Sequence, residues 1–212
     1  MAGLVVAGGM GIVAVPYLFS GPATPGPLLW YLTRATAFAA YVTLTAAVAL
    51  GMLRVVARRA GERLSWVVDE LHQFISTLAL LLVLAHLLSI FLDPFIPFTA
   101  ANLLLPLDEP YRPLAVRLGV FAFYALVLVL ASSWLRRRLR YGTWRALHYL
   151  GFVAFALATA HGVLAGSDAG EPWMRGMYVG AGSAIAFLTL ARLLAGTPRA
   201  GGERIAQMSS RR

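Results

Sequence analysis

The sequence contains no cysteine and no lysine, and only 13% of its 212 residues are charged. Without cysteine there can be no disulfide, no thiolate-held metal, no iron-sulfur cluster and no covalent haem attachment of the CxxCH type. Any cofactor must be held by histidine, carboxylate or noncovalent packing. Soluble domains are about 25% charged, so the shortage here, with 59% apolar residues and a mean hydropathy of +0.74, excludes a water-soluble domain. The chain reads as an all-α integral membrane protein. Six spans of about 20 residues each would leave only short loops and a small tail. A soluble redox or nucleotide domain is therefore expected from a partner.

All eighteen basic residues are arginine, against nine acids. The formal charge of +9 suggests nucleic acid at first sight, but the placement of the charges argues for a bilayer and no nucleic acid. Arg54, Arg58, Arg59 and Arg63, then Arg136, Arg137, Arg138 and Arg140, then Arg199, Arg204, Arg211 and Arg212 each follow an apolar run. This is the positive-inside pattern of a cytoplasmic face. The apolar runs predict six transmembrane helices at 1–20, 28–57, 66–92, 113–135, 143–165 and 172–195. Residues 1–20 are glycine-rich and lack a basic leader, so they read as a first transmembrane helix and not a cleaved signal. Residues 28–195 form one helix bundle and 196–212 a basic cytoplasmic tail, with both termini inside the cell membrane. Trp30 and Trp173 fall at the outer boundaries and Trp66, Trp134 and Trp144 at the inner ones, as interfacial anchors should. The long connection from Asp93 to Arg112, with Phe95, Ile96 and Phe98, is expected to lie along the outer surface and could lid a site beneath it. Gly176 and Gly180 make a GxxxG in the last span, expected as a close helix contact.

The chain has only four histidines, His72 and His86 in the third span and His148 and His161 in the fifth. Ionisable groups inside a membrane are functional by default. Spacings of fourteen and thirteen residues each correspond to about 20 Å of helix rise. The two spans run in the same direction, which sets His72 level with His148 on the cytoplasmic side and His86 level with His161 on the outer side. A ring nitrogen from each of two facing helices is what a six-coordinate haem iron needs, and bundle cores are where helical proteins build such sites. One geometric conflict stands: a 14-residue step returns to within about 40° of the same helix face, but a 13-residue step misses by about 140°. The fifth span must tilt, kink or rotate its ligands, with Gly151 and Gly162 beside them. The other readings are polar side chains satisfied by a neighbouring helix, and a His-lined metal transporter.

The segment WVVDELHQFISTLALLLVLAHLLSIFLD, followed by YRPLAVRLGVFAFYALVLVLASSWLRRRLRYGTWRALHYLGFVAFALATAHGVLAGSD, resembles the ferric reductase-like transmembrane domain shared by ferric reductases and NADPH oxidases. The upstream WYLTRATAFAAY fits the same pattern, so the resemblance spans about residues 28–195. It implies two noncovalent b-type haems, the inner on His72 and His148 and the outer on His86 and His161, which pass electrons across the membrane to an acceptor such as ferric iron. Members of this family carry a flavin and NADPH domain after the membrane part, and this chain ends at Arg212. The electron donor is therefore expected to be a cytoplasmic flavoprotein or quinol. The oxidases place a further histidine one turn beyond the outer ligand of the third span, where this chain has Ile90, so superoxide production is not expected. The haem-binding membrane subunit of the periplasmic methionine sulfoxide reductase system is a second similar protein. On that reading the outer acceptor is a separate periplasmic enzyme and not a ferric chelate.

Arg34, in the outer half of the second span, needs an anionic partner or a route to the interface. A propionate of the outer haem is the first choice, which the resemblance also favours, and Arg112 and Arg117 could meet propionates too or pair with Asp108 or Glu109. Asp69 and Glu70 before His72, and Arg145 before His148, could tune the ligands or cap a helix. The Arg136–Arg140 run could dock an acidic flavoprotein or anionic lipid. Phe74, Phe152 and Phe155 are candidates for packing between the haems.

Overall fold

The computed structural model describes residues 28–106 and 110–195. The expected first span at 1–20, the acids Asp108 and Glu109, and the basic tail at 196–212 lie outside the described residues. Seven helices follow in order: α1 Leu28–Ala60, α2 Glu62–Leu92, α3 Ala100–Leu104, α4 Pro113–Trp134, α5 Tyr141–His148, α6 Leu150–Ala165 and α7 Pro172–Ala195. Five stretches are long and apolar enough to cross a membrane, namely most of α1, α2, α4, α5 with α6, and α7. They coincide with the second to sixth expected spans.

Two boundaries differ from expectation. Residues 58–65 were expected to connect two spans, but α1 runs to Ala60 and α2 starts at Glu62. Gly61 alone makes the turn, at φ 130, a conformation open to glycine and strained for any residue with a Cβ. The 31 residues of α2 rise about 46 Å, beyond the roughly 30 Å of a hydrocarbon core. The surplus is its exposed N-terminal end carrying Glu62 and Arg63; Arg and Glu favour the helix in water as Leu does in lipid. The second difference is the fifth span, which is two helices and not one. The break falls at Tyr149, directly after His148.

The helices α1, α2, α4 and α6 form a ring in which each packs against the next and α6 returns to α1. The histidine-bearing α2 and α6 therefore sit across a diagonal, and backbone contact between them is slight among the described residues. The space between them is left to side chains and to whatever those side chains hold. Helix α7 lies outside the ring against α1, through Met177, Tyr178 and Ile185 packed on Tyr41, Met52 and Phe155.

Alanines are prominent among the buried residues, with Ala40, Ala47, Ala79, Ala115, Ala122, Ala125 and Ala154 beside larger ones such as Leu44 and Leu126, while Phe91, Phe121, Phe187, Leu193 and Leu194 are exposed. Lipid is as apolar as leucine, so large side chains gain nothing by turning inward, and small ones let backbones approach. At mid-height, Leu44 of α1, Ala79 of α2, Ala125, Leu126 and Leu130 of α4 and Ala154 of α6 meet in one cluster. Ala79 and Ala154 are wholly inaccessible, each about halfway between the two histidines of its span. Among the described residues, the Gly176/Gly180 pair makes no helix contact: a Cβ built at either glycine meets nothing within 4 Å, because α7 turns that face away from the ring.

Ala154→Leu forces a branched side chain into this closed centre and should cost about 1–3 kcal/mol. Gly176→Leu on the open face of α7 should leave stability unchanged. Thermal unfolding of the two detergent-purified variants checks this, and equal midpoints would refute the closed centre.

Candidate functional site

The four histidines come together as two pairs. The rings of His72 and His148 have centroids 6.1 Å apart at 65°, and those of His86 and His161 are 6.5 Å apart at 73°. The first pair lies toward the arginine-rich end of the bundle and the second toward the opposite end. The pairing requires both histidines of the fifth span to face α2, which a continuous helix would not allow at a 13-residue step. The irregularity falls at Tyr149, between the two histidines, and supplies part of the needed rotation. Tyr149 N–H still bonds the Arg145 carbonyl at 3.2 Å, but Phe152 N–H bonds Tyr149 three residues back at 3.1 Å. The tightened turn adds about 20° of rotation per residue just past His148.

The ring nitrogen Nδ1 of every histidine is already engaged. His72 Nδ1 donates to the Ala47 carbonyl at 2.9 Å, His86 Nδ1 to the Thr33 carbonyl at 3.0 Å, and His161 Nδ1 to the Ala115 carbonyl at 2.7 Å. A carbonyl accepts only, so Nδ1 carries the proton and Nε2 is left with its lone pair. His148 differs: its Nδ1 lies 3.4 Å from Ser133 Oγ, which in turn donates to the Val129 carbonyl at 2.8 Å. Ligating histidines bind in this way, one nitrogen on the metal and the other oriented by a hydrogen bond.

The acceptors have their own spacing. Thr33 and Ala47 are fourteen residues apart on α1, as His72 and His86 are on α2. Ala115 and Val129 are also fourteen apart on α4, and the break at Tyr149 takes up the difference from thirteen on the partner span. Each histidine helix is thus supported, at both levels, by the transmembrane helix before it in sequence. These carbonyls were not foreseen, since any residue in a span could supply one. A signal did exist in Gly51 and Gly119: glycine inside a helix costs about 1 kcal/mol against alanine and so marks a close approach.

A cavity of about 360 Å³ surrounds the outer pair. Its walls are mostly apolar, including Ala37, Leu44, Val83, Ile90 and Leu126, and Phe95, Ile96 and Phe98 of the 93–112 connection cover it. That connection does lie over a site, as expected. Helix α3 pins it through the Thr99/Asn102 capping box and the bond from Tyr124 Oη–H to the Leu104 carbonyl at 2.6 Å. Arg34 and Asp168 stand in the same lining. The Arg34 Nε and one Nη meet the same carboxylate oxygen of Asp168 at 2.7 and 2.5 Å, so its anionic partner within the chain is a side chain of the 166–171 loop. Arg112 lies elsewhere: it caps α6 through the Leu164 carbonyl at 2.5 Å, an orphan acceptor of a helix C-terminus, and is not among the cavity-lining residues.

The other supporting residues are placed as follows. Asp69 pairs with Arg54 of α1 and ties the two helices together near His72, whose Nδ1 takes a backbone carbonyl and no carboxylate. Arg145 bonds the Tyr149 hydroxyl at 3.1 Å. Trp144 stacks on His148 at 5.2 Å, with the Arg136 guanidinium 5.6 Å from its ring. The three phenylalanines do not fill the middle. Phe74 is exposed, Phe155 stacks on Tyr41, and Phe152 joins the same cluster on the α7 side.

Residues 36–159, more than half of the chain, match the family described as the ferric reductase like transmembrane component. The chain belongs to that family. The matched stretch contains His72, His86 and His148 and ends two residues short of His161, which joins the set by its geometry. No curated protein matches the chain, and no solved structure does. Within this ferric reductase-like domain, the fit to a haem iron is tested by ring spacing. Two His-to-metal bonds of about 2 Å, with about 1 Å from each nitrogen to its ring centre, require centroids roughly 6 Å apart. Both pairs have that spacing. Among the described residues no three His, Asp or Glu side chains gather as they would around a bare metal ion. Two-histidine sites suit a metal that brings its own equatorial ligands.

The Arg34–Asp168 contact joins α1 to the loop before α7 at the cavity mouth, with both side chains partly exposed. A double-mutant cycle with Arg34→Gln and Asp168→Asn should give a coupling of about 1 kcal/mol, near the upper end for accessible pairs. Additive losses of thermal stability would show that the pair is not coupled.

Proposed function

We propose that this protein conducts electrons across the membrane through two noncovalent b-type haems. His72 and His148 hold the one at the arginine-rich, cytoplasmic end, and His86 and His161 hold the one at the outer end. The observation that supports this most directly is the set of four imidazoles, paired at metal-bridging distance and each hydrogen-bonded at Nδ1. Haem, when bound, supplies a one-electron iron couple.

The chain's own residues do the rest. With two imidazoles offered to it at each level, a bound haem iron would be left no position for an acceptor, and electrons would pass on without a bond to iron. The Nδ1 hydrogen bonds fix the tautomer and raise the basicity of the ligands. The Leu44/Ala79/Ala154 cluster keeps water out of the middle of the path. At the outer end, Phe95, Ile96 and Phe98 exclude bulk water from the cavity, and the Arg34–Asp168 pair marks its polar edge. Ile90 stands in that cavity where the oxidases place a further histidine, which favours an acceptor such as a ferric chelate over oxygen reduction. Arg112 acts on this reading by holding the outer end of α6, and so the level of His161. Electrons enter from a cytoplasmic flavoprotein or quinol. The cationic turn 136–140 beside Trp144 and His148 is suited to an acidic donor.

Optical spectra of the purified protein, oxidised and dithionite-reduced, test the reading. Two low-spin b-type haems per chain are expected, and replacement of one histidine of either pair by alanine should remove half the signal. A haem-free protein expressed with ample haem would overturn the proposal. Rapid reoxidation of the reduced protein by ferric citrate would support direct reduction of small acceptors. A requirement for an added periplasmic protein would assign the chain to the electron-transfer subunits.

A further inference from the structure

Three of the four imidazoles bond a backbone carbonyl that already accepts from its own helix, and the fourth reaches one through Ser133. In an α-helix the side chain four residues after a carbonyl leans back over it, because each Cα–Cβ bond tilts toward the N-terminus. Any large residue at that place would cover the lone pair that the imidazole needs. The four residues there are Ala37 after Thr33, Gly51 after Ala47, Gly119 after Ala115 and Ser133 after Val129. All are small, and the two glycines touch the rings. A Cβ at Gly119 would lie 2.8 Å from His161 Nδ1 and 2.9 Å from Cε1, closer than atoms can approach, and a Cβ at Gly51 would lie 3.2 Å from His72 Cε1 and 3.6 Å from Nδ1.

We infer that Gly119 and Gly51 are positioning residues for His161 and His72, keeping the Nδ1–carbonyl bonds short and thereby setting the reduction potentials of the outer and inner sites separately. The inference rests on the haem reading above. A strong bond from Nδ1–H makes the imidazole a better electron donor and favours oxidised iron. Displacing the ring from its carbonyl weakens that donation and favours reduced iron. The two glycines act to different degrees. At Gly119 the added methyl cannot fit unless the ring moves off its 2.7 Å bond. At Gly51 a shift of a few tenths of an ångström suffices.

Optical redox titration of the purified haem-loaded protein reads both sites at once, with the outer component identified as the one lost in His161→Ala. Gly119→Ala should raise the outer component by about tenfold in its reduction equilibrium, which is about 59 mV for one electron, and leave the inner component in place. Gly51→Ala should raise the inner component by less and leave the outer one unmoved. Should Gly119→Ala fail to fold, Gly51→Ala alone decides by the same criterion. Two components that stay put in the variants, or that move together, overturn the positioning role and leave the haem reading intact. A wild-type protein without two titrating components overturns both.

Discussion

An imidazole inside a bilayer needs a hydrogen-bond partner, and in spans this apolar most acceptors within reach are backbone carbonyls. Those carbonyls are already bonded within their helices but keep a second lone pair. Much of the architecture follows from this constraint. Each histidine-bearing helix must run antiparallel beside a helix whose exposed carbonyls recur at the same spacing as its histidines. The pair α1/α2 meets that condition, with acceptors and histidines both fourteen residues apart, while α4 offers acceptors fourteen apart to the histidines of α5 and α6. Where the histidines are thirteen apart, the helix breaks at Tyr149, and the contact to Val129 passes through a serine hydroxyl.

The same constraint explains why the bundle is a ring of four with a diagonal gap. If α2 and α6 packed directly, their histidines would meet each other with no room for a metal between them. Packing each against the helix whose carbonyls accept from its histidines instead holds the rings about 6 Å apart at both levels, while the Leu44/Ala79/Ala125/Ala154 cluster joins the four helices between the levels. The two ends are finished differently. The outer pair lies in a cavity roofed by the 93–112 connection and edged by Arg34 and Asp168. The inner pair lies beside Trp144, a cationic turn and the Arg54–Asp69 pair. On the function proposed above, that asymmetry suits a protein or quinol donor on one side and a small acceptor on the other.

Much of this was legible in the sequence, for identifiable reasons. Span positions follow from hydropathy because a bilayer admits few alternatives, and the five spans within the described residues fall within a few residues of expectation. The histidine pairing followed from rise per residue and the direction of successive spans. The 13-residue step announced an irregularity in the fifth span without saying where. Other inferences failed because side-chain direction is a tertiary property. Phe74 looked interior by its position, yet lies on the outer surface of α2. Gly176 and Gly180 turn away from α1, since only packing decides which face of α7 meets it.

Composition, hydrophobic periodicity and four histidines at two spacings by themselves determined a multi-span helical membrane protein with paired intramembrane imidazoles. These are properties of the chain's local chemistry and of the bilayer's thickness. Only the tertiary structure decided which carbonyls receive the Nδ1 protons, why Gly51, Gly119 and Ser133 stand where they do, and that Arg34 faces Asp168. Each depends on the register and rotation of one helix against another, and these come from many small packing contacts that no single residue encodes.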